Sequence, residues 1–165
     1  MQYEEVSEMK ITEEIHKHLL FAELSKKDLK SVSEFSSVES YKKDSFIFET
    51  GHTADSIYLI TDGRVSIEMH EPVRGSLILE SLTKGQLLGL SWLSYPSHWV
   101  FDARCLDDVS AIKIDAKKLA EFCESNHEAG YNIMKNIALL IRDRLQSTRL
   151  QLMDIYATSR EILRI

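Results

Sequence analysis

The segment GQLLGLSWLSYPSHWVFDAR, residues 85–104, has residue types and a spacing that suit a ligand-binding loop. Gly85 and Gly89 precede a short helical turn, and glycines in this position let backbone N–H groups surround a phosphate. The segment then offers Leu90, Trp92 and Trp99 where a phosphate-binding loop needs charge. The two tryptophans either stack on a planar ligand or fill the space themselves. We therefore predict a loop that keeps its shape and has lost its anion.

The histidines and serines give no catalytic or metal-binding pattern. His16 and His18 are two residues apart on a predicted helix, so they point to different sides. His52, His70 and His127 fall at predicted turns or element ends without neighbouring ligands. The motifs GxSxG and HExxH are missing from the sequence. We predict that the protein has no metal site and is not an enzyme.

Composition narrows the class of protein further. The 165 residues and 44% hydrophobic content fit one domain with an appended helix. A net charge of -6 argues against a nucleic-acid-binding surface, because such surfaces need clustered Lys and Arg. Cys105 and Cys123 lack CxxC or Cys/His spacing, which indicates reduced thiols in an intracellular protein. The sequence has no apolar run of about 18 residues and no signal-peptide pattern, so we predict a cytoplasmic protein without a membrane partner.

Two kinds of periodicity divide the chain. In residues 11–35, apolar residues recur at three- and four-residue steps, which predicts two short helices separated at Ser25, the N-cap of the second. From Val38 the pattern changes to short β-rich runs separated by turns, which predicts an antiparallel sandwich or barrel. The clearest predicted hairpin lies at Asp62 and Gly63, because a type I′ turn needs positive φ at both central residues. The β-rich runs are VESY, SFIF, SIYLI, RVSIEM, SLILESL, VFDARC and VSAIKI.

The pattern becomes helical again after the last β-rich run. Asp115 can cap a helix that ends where residues 126–130 break the pattern. Residues 131–165 contain no Gly or Pro and carry an a/d register over about five heptads, which predicts a long helix that pairs with a second copy. We divide the chain into a domain at residues 1–130 and a dimerisation helix at residues 131–165. The predicted dimer interface consists of Ile141, Leu145, Thr148, Leu152, Ile155 and Ile162.

Three segments resemble a known family in their order and spacing. They are LLFAELSKKDLKSVSEF, SFIFETGHTADSIYLITDGRVSIEM and LESLTKGQLLGL, and the similarity extends from Leu20 to Ile155. Together they resemble the cyclic-nucleotide-binding domain of the catabolite-activator type of bacterial transcription regulator. The resemblance implies a mainly β fold with flanking helices. The implied architecture is a double-stranded β-helix, or jelly-roll, barrel with N-terminal helices and a long C-terminal dimerisation helix.

The same resemblance implies which residues surround the ligand. In the family, a Glu after the second glycine of the loop binds the ribose, an Arg and backbone amides bind the cyclic phosphate, and a Thr on the long helix reaches the base. Here Gly89 matches the glycine, but Leu90 stands at the Glu position and Trp99 at the Arg position. Thr148 stands at the base-contacting position. The residues expected around the ligand are Gly89, Leu90, Ser91, Trp92, His98, Trp99, Val100 and Thr148.

The missing charges predict that a cyclic nucleotide is not bound in the usual way. A cyclic phosphate taken out of water without a guanidinium has only backbone amides to compensate it. Arg104 does not replace the lost arginine, because in an extended strand it shares a face with Asp102 and is expected to pair with it outside the pocket. The ligand is therefore unidentified, and a cyclic nucleotide stays one candidate that lacks its Glu and Arg contacts.

These observations favour a small-molecule sensor that signals through a dimer helix, and they leave two alternatives open. One is a non-sensing protein-interaction module with a filled pocket, whose paired helices dock another protein. The other is a haem-based sensor, because some relatives ligate haem through His, Cys or Met. The family continues into a helix-turn-helix module, whereas this chain stops at SREILRI, so we expect no direct DNA binding. The candidate haem ligands are His52, His98, Cys105 and Met153.

Overall fold

The computed structural model describes residues 2–71, 75–94 and 97–162, and it gives side chains from Lys10 onward except for Ser94, Ile155 and residues 157–162. Within these ranges eight strands follow one another along the chain. We call these strands together the β-roll. They are β1 (Ser36–Tyr41), β2 (Phe46–Phe48), β3 (Ser56–Asp62), β4 (Arg64–Glu71), β5 (Gly75–Thr83), β6 (Leu87–Leu88), β7 (Asp102–Cys105) and β8 (Val109–Asp115).

The strands form two four-stranded antiparallel sheets in the described part of the chain. The first sheet has the order β1-β8-β3-β6, and the second has the order β2-β7-β4-β5. In the first sheet β8 is central, with Ile112 opposite both Val38 and Leu59. This is the jelly-roll arrangement, so the predicted fold class is confirmed. The seven β-rich runs correspond to seven of the strands, whereas β6 is a two-residue strand that the pattern does not predict.

Asp62 and Gly63 form a corner between the two sheets, so the predicted hairpin is wrong. β3 pairs with β8 and β6, whereas β4 pairs with β5 and β7. Gly63 has a φ of 83°, but Asp62 does not have a positive φ, so the turn is not type I′. A Cβ on Gly63 would clash with the carbonyl oxygen of Asp108. The glycine is therefore needed because the loop before β8 passes close to this corner.

The N-terminal segment contains three helical pieces rather than the two predicted. They are α1 (Gln2–Lys17), a 3-10 turn (Leu19–Phe21) and α2 (Lys26–Glu34). Helix α1 begins well before residue 11, and periodicity misses this part because residues 2–10 are mostly polar. The N-cap prediction is confirmed, since the hydroxyl of Ser25 accepts a hydrogen bond of 3.2 Å from the backbone N–H of Asp28.

Helix α3 (Ala116–Ser125) follows β8 directly. Its predicted cap is confirmed, because the carboxylate of Asp115 accepts a hydrogen bond of 2.9 Å from the backbone N–H of Lys118. The side chain of Asn126 then accepts a bond of 3.2 Å from the N–H of Ala129 and so begins the next helix.

Helix α4 (His127–Ile162) starts four residues earlier than predicted. Gly130 does not break this helix. A Cβ at Gly130 would lie 2.5 Å from the carbonyl oxygen of Cys123, so the glycine lets α4 pack closely on the end of α3. The start of the long helix is therefore corrected from 131 to 127, while the division of the chain into two functional parts stays a prediction.

Two hydrophobic clusters hold the elements together. The first lies between the helices and the first sheet and includes Phe21, Ile112 and Ile133, all fully buried. The second lies between the two sheets and includes Val65 and Trp99. The β-roll and the start of α4 are therefore packed around cores that fix their positions. Among the helices of the described residues, none has an apolar stretch that could span a bilayer.

A candidate ligand-binding cavity between the β-roll and the long helix

A cavity of about 930 Å³ lies between the β-roll and α4. On the β-roll side it is lined by Phe48, Ile67, β5 residues 77–80 and residues 88–91 and 99–101. On the other side it is lined by α4 residues from Arg144 to Asp154. Volumes of this size are typical of sites for small organic ligands.

Trp99 forms part of the cavity wall and is turned inward. Its side chain is only 4% exposed and stacks on Phe48, with ring centroids 3.8 Å apart and planes 10° apart. The backbone N–H of Trp99 donates to the carbonyl of His52, and its own carbonyl accepts from Gly51, both at 2.9 Å. These bonds fix the segment so that the indole occupies part of the space between the sheets.

Gly89 is required by the position of Trp99. Its φ is 92°, in the region that favours glycine. A Cβ at this position would lie 3.0 Å from both the carbonyl oxygen of Ser56 and the indole of Trp99. The loop therefore keeps its family glycine while an indole lies against it.

The structure brings most of the predicted ligand residues to the cavity. Trp92 is an exception, because it lies in the 3-10 turn Leu90–Ser94. Its side chain is 4% exposed and packs in the first hydrophobic cluster, between the helices and the first sheet. Its indole N–H has no hydrogen-bond partner among the described residues. His98 is exposed and pairs through its backbone with Thr53, away from the cavity. The predicted residues that do line the cavity are Gly89, Leu90, Ser91, Trp99, Val100 and Thr148.

Arg104 lies outside the cavity, as expected, but its predicted partner is wrong. Its guanidinium donates to the carboxylate of Asp44 at 2.8 Å. Asp102 instead accepts a hydrogen bond of 2.7 Å from the backbone N–H of Thr50. Asp44 has a φ of 67°, and this turn conformation brings its carboxylate to β7. The sequence pattern could not show that contact, because the two residues are far apart in the chain.

Arg144 is the site residue that the sequence interpretation missed. Its guanidinium donates through Nη2 to the carbonyl of Leu87, and its Nε lies 3.9 Å from Oε1 of Glu80. Its side chain is 28% exposed. Burial lowers the pKa of Arg144 from its ordinary value, and the charge of Glu80 partly offsets this effect. The sequence spacing could have identified Arg144, because it precedes Thr148 by four residues and therefore lies on the same helix face.

The N-terminal helical segment reaches the same part of α4 through His18. Its Nδ1 accepts a hydrogen bond of 3.1 Å from the backbone N–H of Leu20. Burial lowers the pKa of His18, and the nearby charge of Arg144 lowers it further. Asn136 of α4 donates to the carbonyl of Leu19 at 2.9 Å. Helix α4 is thus held by the N-terminal segment on one side and by the β-roll on the other.

The predicted dimer interface lies on a face of α4 that is open in the single chain. Ile141, Leu145 and Leu152 are 43%, 49% and 47% exposed. Thr148 is exposed, and its hydroxyl donates to the carbonyl of Arg144 at 2.9 Å. Thr148 and Leu152 also line the cavity, so the predicted interface and the cavity share residues. The side chains of Ile155 and Ile162 lie outside the described residues, and dimerisation stays a prediction.

The residues that line the cavity do not support the haem alternative. Cys105 is buried between the sheets, and His52, His98 and Met153 are exposed. None of these four candidates is among the described residues that line the cavity. Groups of three or more His, Cys, Asp or Glu that could hold a metal ion are also missing from the described part of the chain.

The sequence matches the family model for the cyclic nucleotide-binding domain over residues 38–126, which is more than half of the chain. The chain therefore belongs to the cyclic nucleotide-binding domain family. This match covers α3 and the β-roll except for the first two residues of β1, and it includes the cavity wall from Phe48 to Phe101.

Individual relatives agree with this assignment. A protein from Geobacter metallireducens GS-15, provisionally named as a cyclic nucleotide-binding protein, is 28% identical with a TM-score of 0.72, and the match covers 81% of this chain and 97% of that chain. The sensor domain of the transcriptional regulator DNR from Pseudomonas aeruginosa is 17% identical with a TM-score of 0.72, and the match covers 84% and 93% of the two chains. The likeness to DNR shows the fold alone.

A curated relative places a similar segment in a longer protein. Glutaminase 1 of Bradyrhizobium diazoefficiens is 28% identical over 136 residues, which are 81% of this chain and 21% of that protein. This chain thus spans about a fifth of the length of the curated relative that it matches.

Proposed function

We propose that the chain is a regulatory module that senses a small molecule, signals through α4 and does not use the Glu and Arg contacts of its family. The observation that carries the proposal is the composition of the cavity wall. Gly89 and Trp99 belong to the β-roll side, whereas Thr148 belongs to α4. A ligand in the cavity would contact both sides at once. If its contacts differ between two arrangements of α4, binding shifts the balance between them.

The proposed ligand is not a cyclic nucleotide in the usual mode. Leu90, Trp99 and Val100 line the cavity at the positions where the family resemblance expects Glu, Arg and Ser. Loss of one partner of a buried charge pair costs about 2–5 kcal/mol. Affinity would fall by between about 30-fold and several thousand-fold. We expect cAMP and cGMP to bind at least about 30-fold more weakly than they bind a domain that has both contacts.

An uncharged fluorescent dye, 1-N-phenylnaphthylamine, tests whether the cavity accepts an apolar molecule. Its fluorescence should rise on saturable binding to the wild-type protein. The variant Ser147→Phe should reduce this binding, because Ser147 lines the cavity. The matched control is Asp143→Phe, one turn earlier on α4 and not among the lining residues. Displacement of the dye by cAMP or cGMP at micromolar concentration would contradict the proposed ligand mode.

Signalling through α4 requires a second copy and a helix that responds to the cavity. In a Cys123→Ser background, Leu145→Cys should form an intermolecular disulfide, because Leu145 lies in the a/d register and is exposed. Asp143→Cys, which lies outside the register, is the control. Dye binding should change the rate of cross-linking at residue 145. An unchanged cross-linking rate would contradict the proposal that ligand binding is transmitted through α4.

A protein-interaction module with a filled pocket is the second candidate, and the stacking of Trp99 on Phe48 favours it. The indole already takes up part of the space between the sheets. This candidate predicts no saturable dye binding to the wild-type protein. Neither candidate includes a catalytic step. The match to 21% of Glutaminase 1 is compatible with a regulatory segment of a longer enzyme.

A further inference from the structure

The cavity contains a guanidinium that its surroundings only partly satisfy. Arg144 has five N–H donors, and the Leu87 carbonyl takes one of them. Among the described residues that line the cavity, Arg144 carries the only positive charge. Its side chain is 28% exposed, so solvent compensates it incompletely.

Glu80 is close to Arg144 but does not complete its bonding. Nε of Arg144 lies 3.9 Å from Oε1 of Glu80, so the two side chains form an ion pair but no hydrogen bond. The Glu80 side chain is 39% exposed and can turn towards solvent. The other lining carboxylate, Asp154, is ten residues further along α4, or about 15 Å away along the axis. Arg144 and Glu80 therefore set the charge at their end of the cavity.

We infer that the cavity takes an organic monoanion with an apolar body, namely an aryl- or alkyl-carboxylate. This inference rests on the proposed function, in which the cavity binds a small molecule. The carboxylate binds to the guanidinium of Arg144, whose planar fork matches it with two parallel hydrogen bonds. The apolar body lies against Trp99, Phe101 and Leu79, which line the adjacent wall.

Binding of such an anion replaces one carboxylate by another. Glu80 belongs to β5 and Arg144 to α4, so their ion pair connects the β-roll to the long helix. A ligand carboxylate on Arg144 competes with Glu80 for the same charge. The ligand thereby releases β5 from α4 while it makes its own contacts with both. This exchange supplies the difference in contacts that the proposed signalling needs.

The inference is tested with two sets of probes. Within each set the apolar body is the same and the charge differs. Indole-3-acetate, indole-3-acetamide and tryptamine are each used to displace 1-N-phenylnaphthylamine, and octanoate and octanamide form a second, aliphatic pair. We expect each carboxylate to displace the dye at a concentration about tenfold or more below its amide, because a charge-assisted hydrogen bond strengthens its binding. Tryptamine should be the weakest of the indoles.

Variants assign this preference to particular side chains. Arg144→Gln should abolish the preference for the carboxylate and leave the affinity for the amide little changed. Arg144→Lys keeps the charge without the fork and should give an intermediate preference. Arg149→Gln, which removes an exposed arginine of the same helix outside the cavity, should leave it intact. Glu80→Gln should strengthen carboxylate binding severalfold, because it removes the competing anion.

Several outcomes would overturn the inference. Equal displacement by carboxylate and amide, preference for tryptamine, or no displacement by either carboxylate would each do so. An equal effect of Arg144→Gln on all probes would show that Arg144 only shapes the wall. If the dye binds and no preference for anions is found, the inference fails and the proposed function stands. If the dye does not bind the wild-type protein, both fail.

Discussion

The ring of Phe48 and the indole of Trp99 stack face to face, with centroids 3.8 Å apart and planes 10° apart. Phe48 ends β2, and Trp99 precedes β7, the strand that pairs with β2. The stack thus connects the cavity wall to one edge of the second sheet. An aromatic pair of this kind contributes about 0.5–1.5 kcal/mol beyond the buried area.

The variant Phe48→Leu should lower the free energy of unfolding by about 1–2 kcal/mol, because it removes the stack and part of the packing. Urea denaturation measures this change. Phe46→Leu is the control, since Phe46 is on the same strand and 42% exposed. It should change stability by no more than about 0.5 kcal/mol. Equal losses in the two variants would show that the stack has no special role.

Gly89→Ala should destabilise the protein more than Gly85→Ala. Both glycines have positive φ, at 92° and 82°, so each substitution carries the cost of a left-handed backbone, about 1 kcal/mol. A Cβ at Gly89 also comes within 3.0 Å of Ser56 and Trp99, whereas a Cβ at Gly85 meets nothing within 4 Å. We expect an additional loss of about 1–3 kcal/mol at residue 89, measured by denaturant unfolding. If residue 85 is the more sensitive, the described loop geometry is wrong.

His18 should make stability fall as the pH is lowered. Its folded pKa lies below the ordinary value of 6.5 because the ring is buried and Arg144 is near. His18 therefore binds a proton more readily in the unfolded chain than in the folded protein. As a result, the free energy of unfolding decreases as pH falls below about 6.5. His18→Asn keeps an acceptor for Leu20 and should flatten the profile between about pH 7 and about pH 5.

The control for this pH profile is His16→Asn, because His16 is exposed in the last turn of α1, two residues before His18. Its profile should match that of the wild-type protein. Identical slopes in the wild-type protein and His18→Asn would contradict the assignment.

Leu145→Glu should convert the proposed dimer into a monomer. Leu145 occupies an a/d position, so a charge there would be buried without a partner in the paired helices. Leu150→Glu is a close control, because Leu150 is also an exposed leucine of α4 but lies on the opposite side of the register. Light scattering should give a monomer for the first variant and a dimer for the second. A monomeric wild-type protein at high concentration would refute the pairing.

The sequence predicted strands well because alternation and turn residues are local signals. It failed where a long-range partner decides the structure. Asp62 and Gly63 look like a hairpin locally, yet β3 pairs with β8 through residues such as Ser110. The two-residue strand β6 carries no alternation at all. The start of α4 was misplaced because Gly130 serves close packing, which composition alone cannot distinguish from a helix break.

The candidate site was predictable where one motif contains it. Gly89, Leu90 and Trp99 follow from the loop and the family resemblance, and all three line the cavity. Trp92 was misplaced because a 3-10 turn directs it towards the helices. Arg144 was missed because its contact with Leu87 joins residues that only the fold brings together.

The pairing of β1 with β8 places Ser36 opposite Ile114, almost half of the chain away. Closing so long a loop costs entropy before any contact compensates it, so the first sheet should assemble late and slowly. On the ribosome, β1 emerges long before its only neighbour in the described sheet has been translated. The nascent chain therefore exposes an unpaired strand during synthesis, which leaves it open to misassembly with other chains.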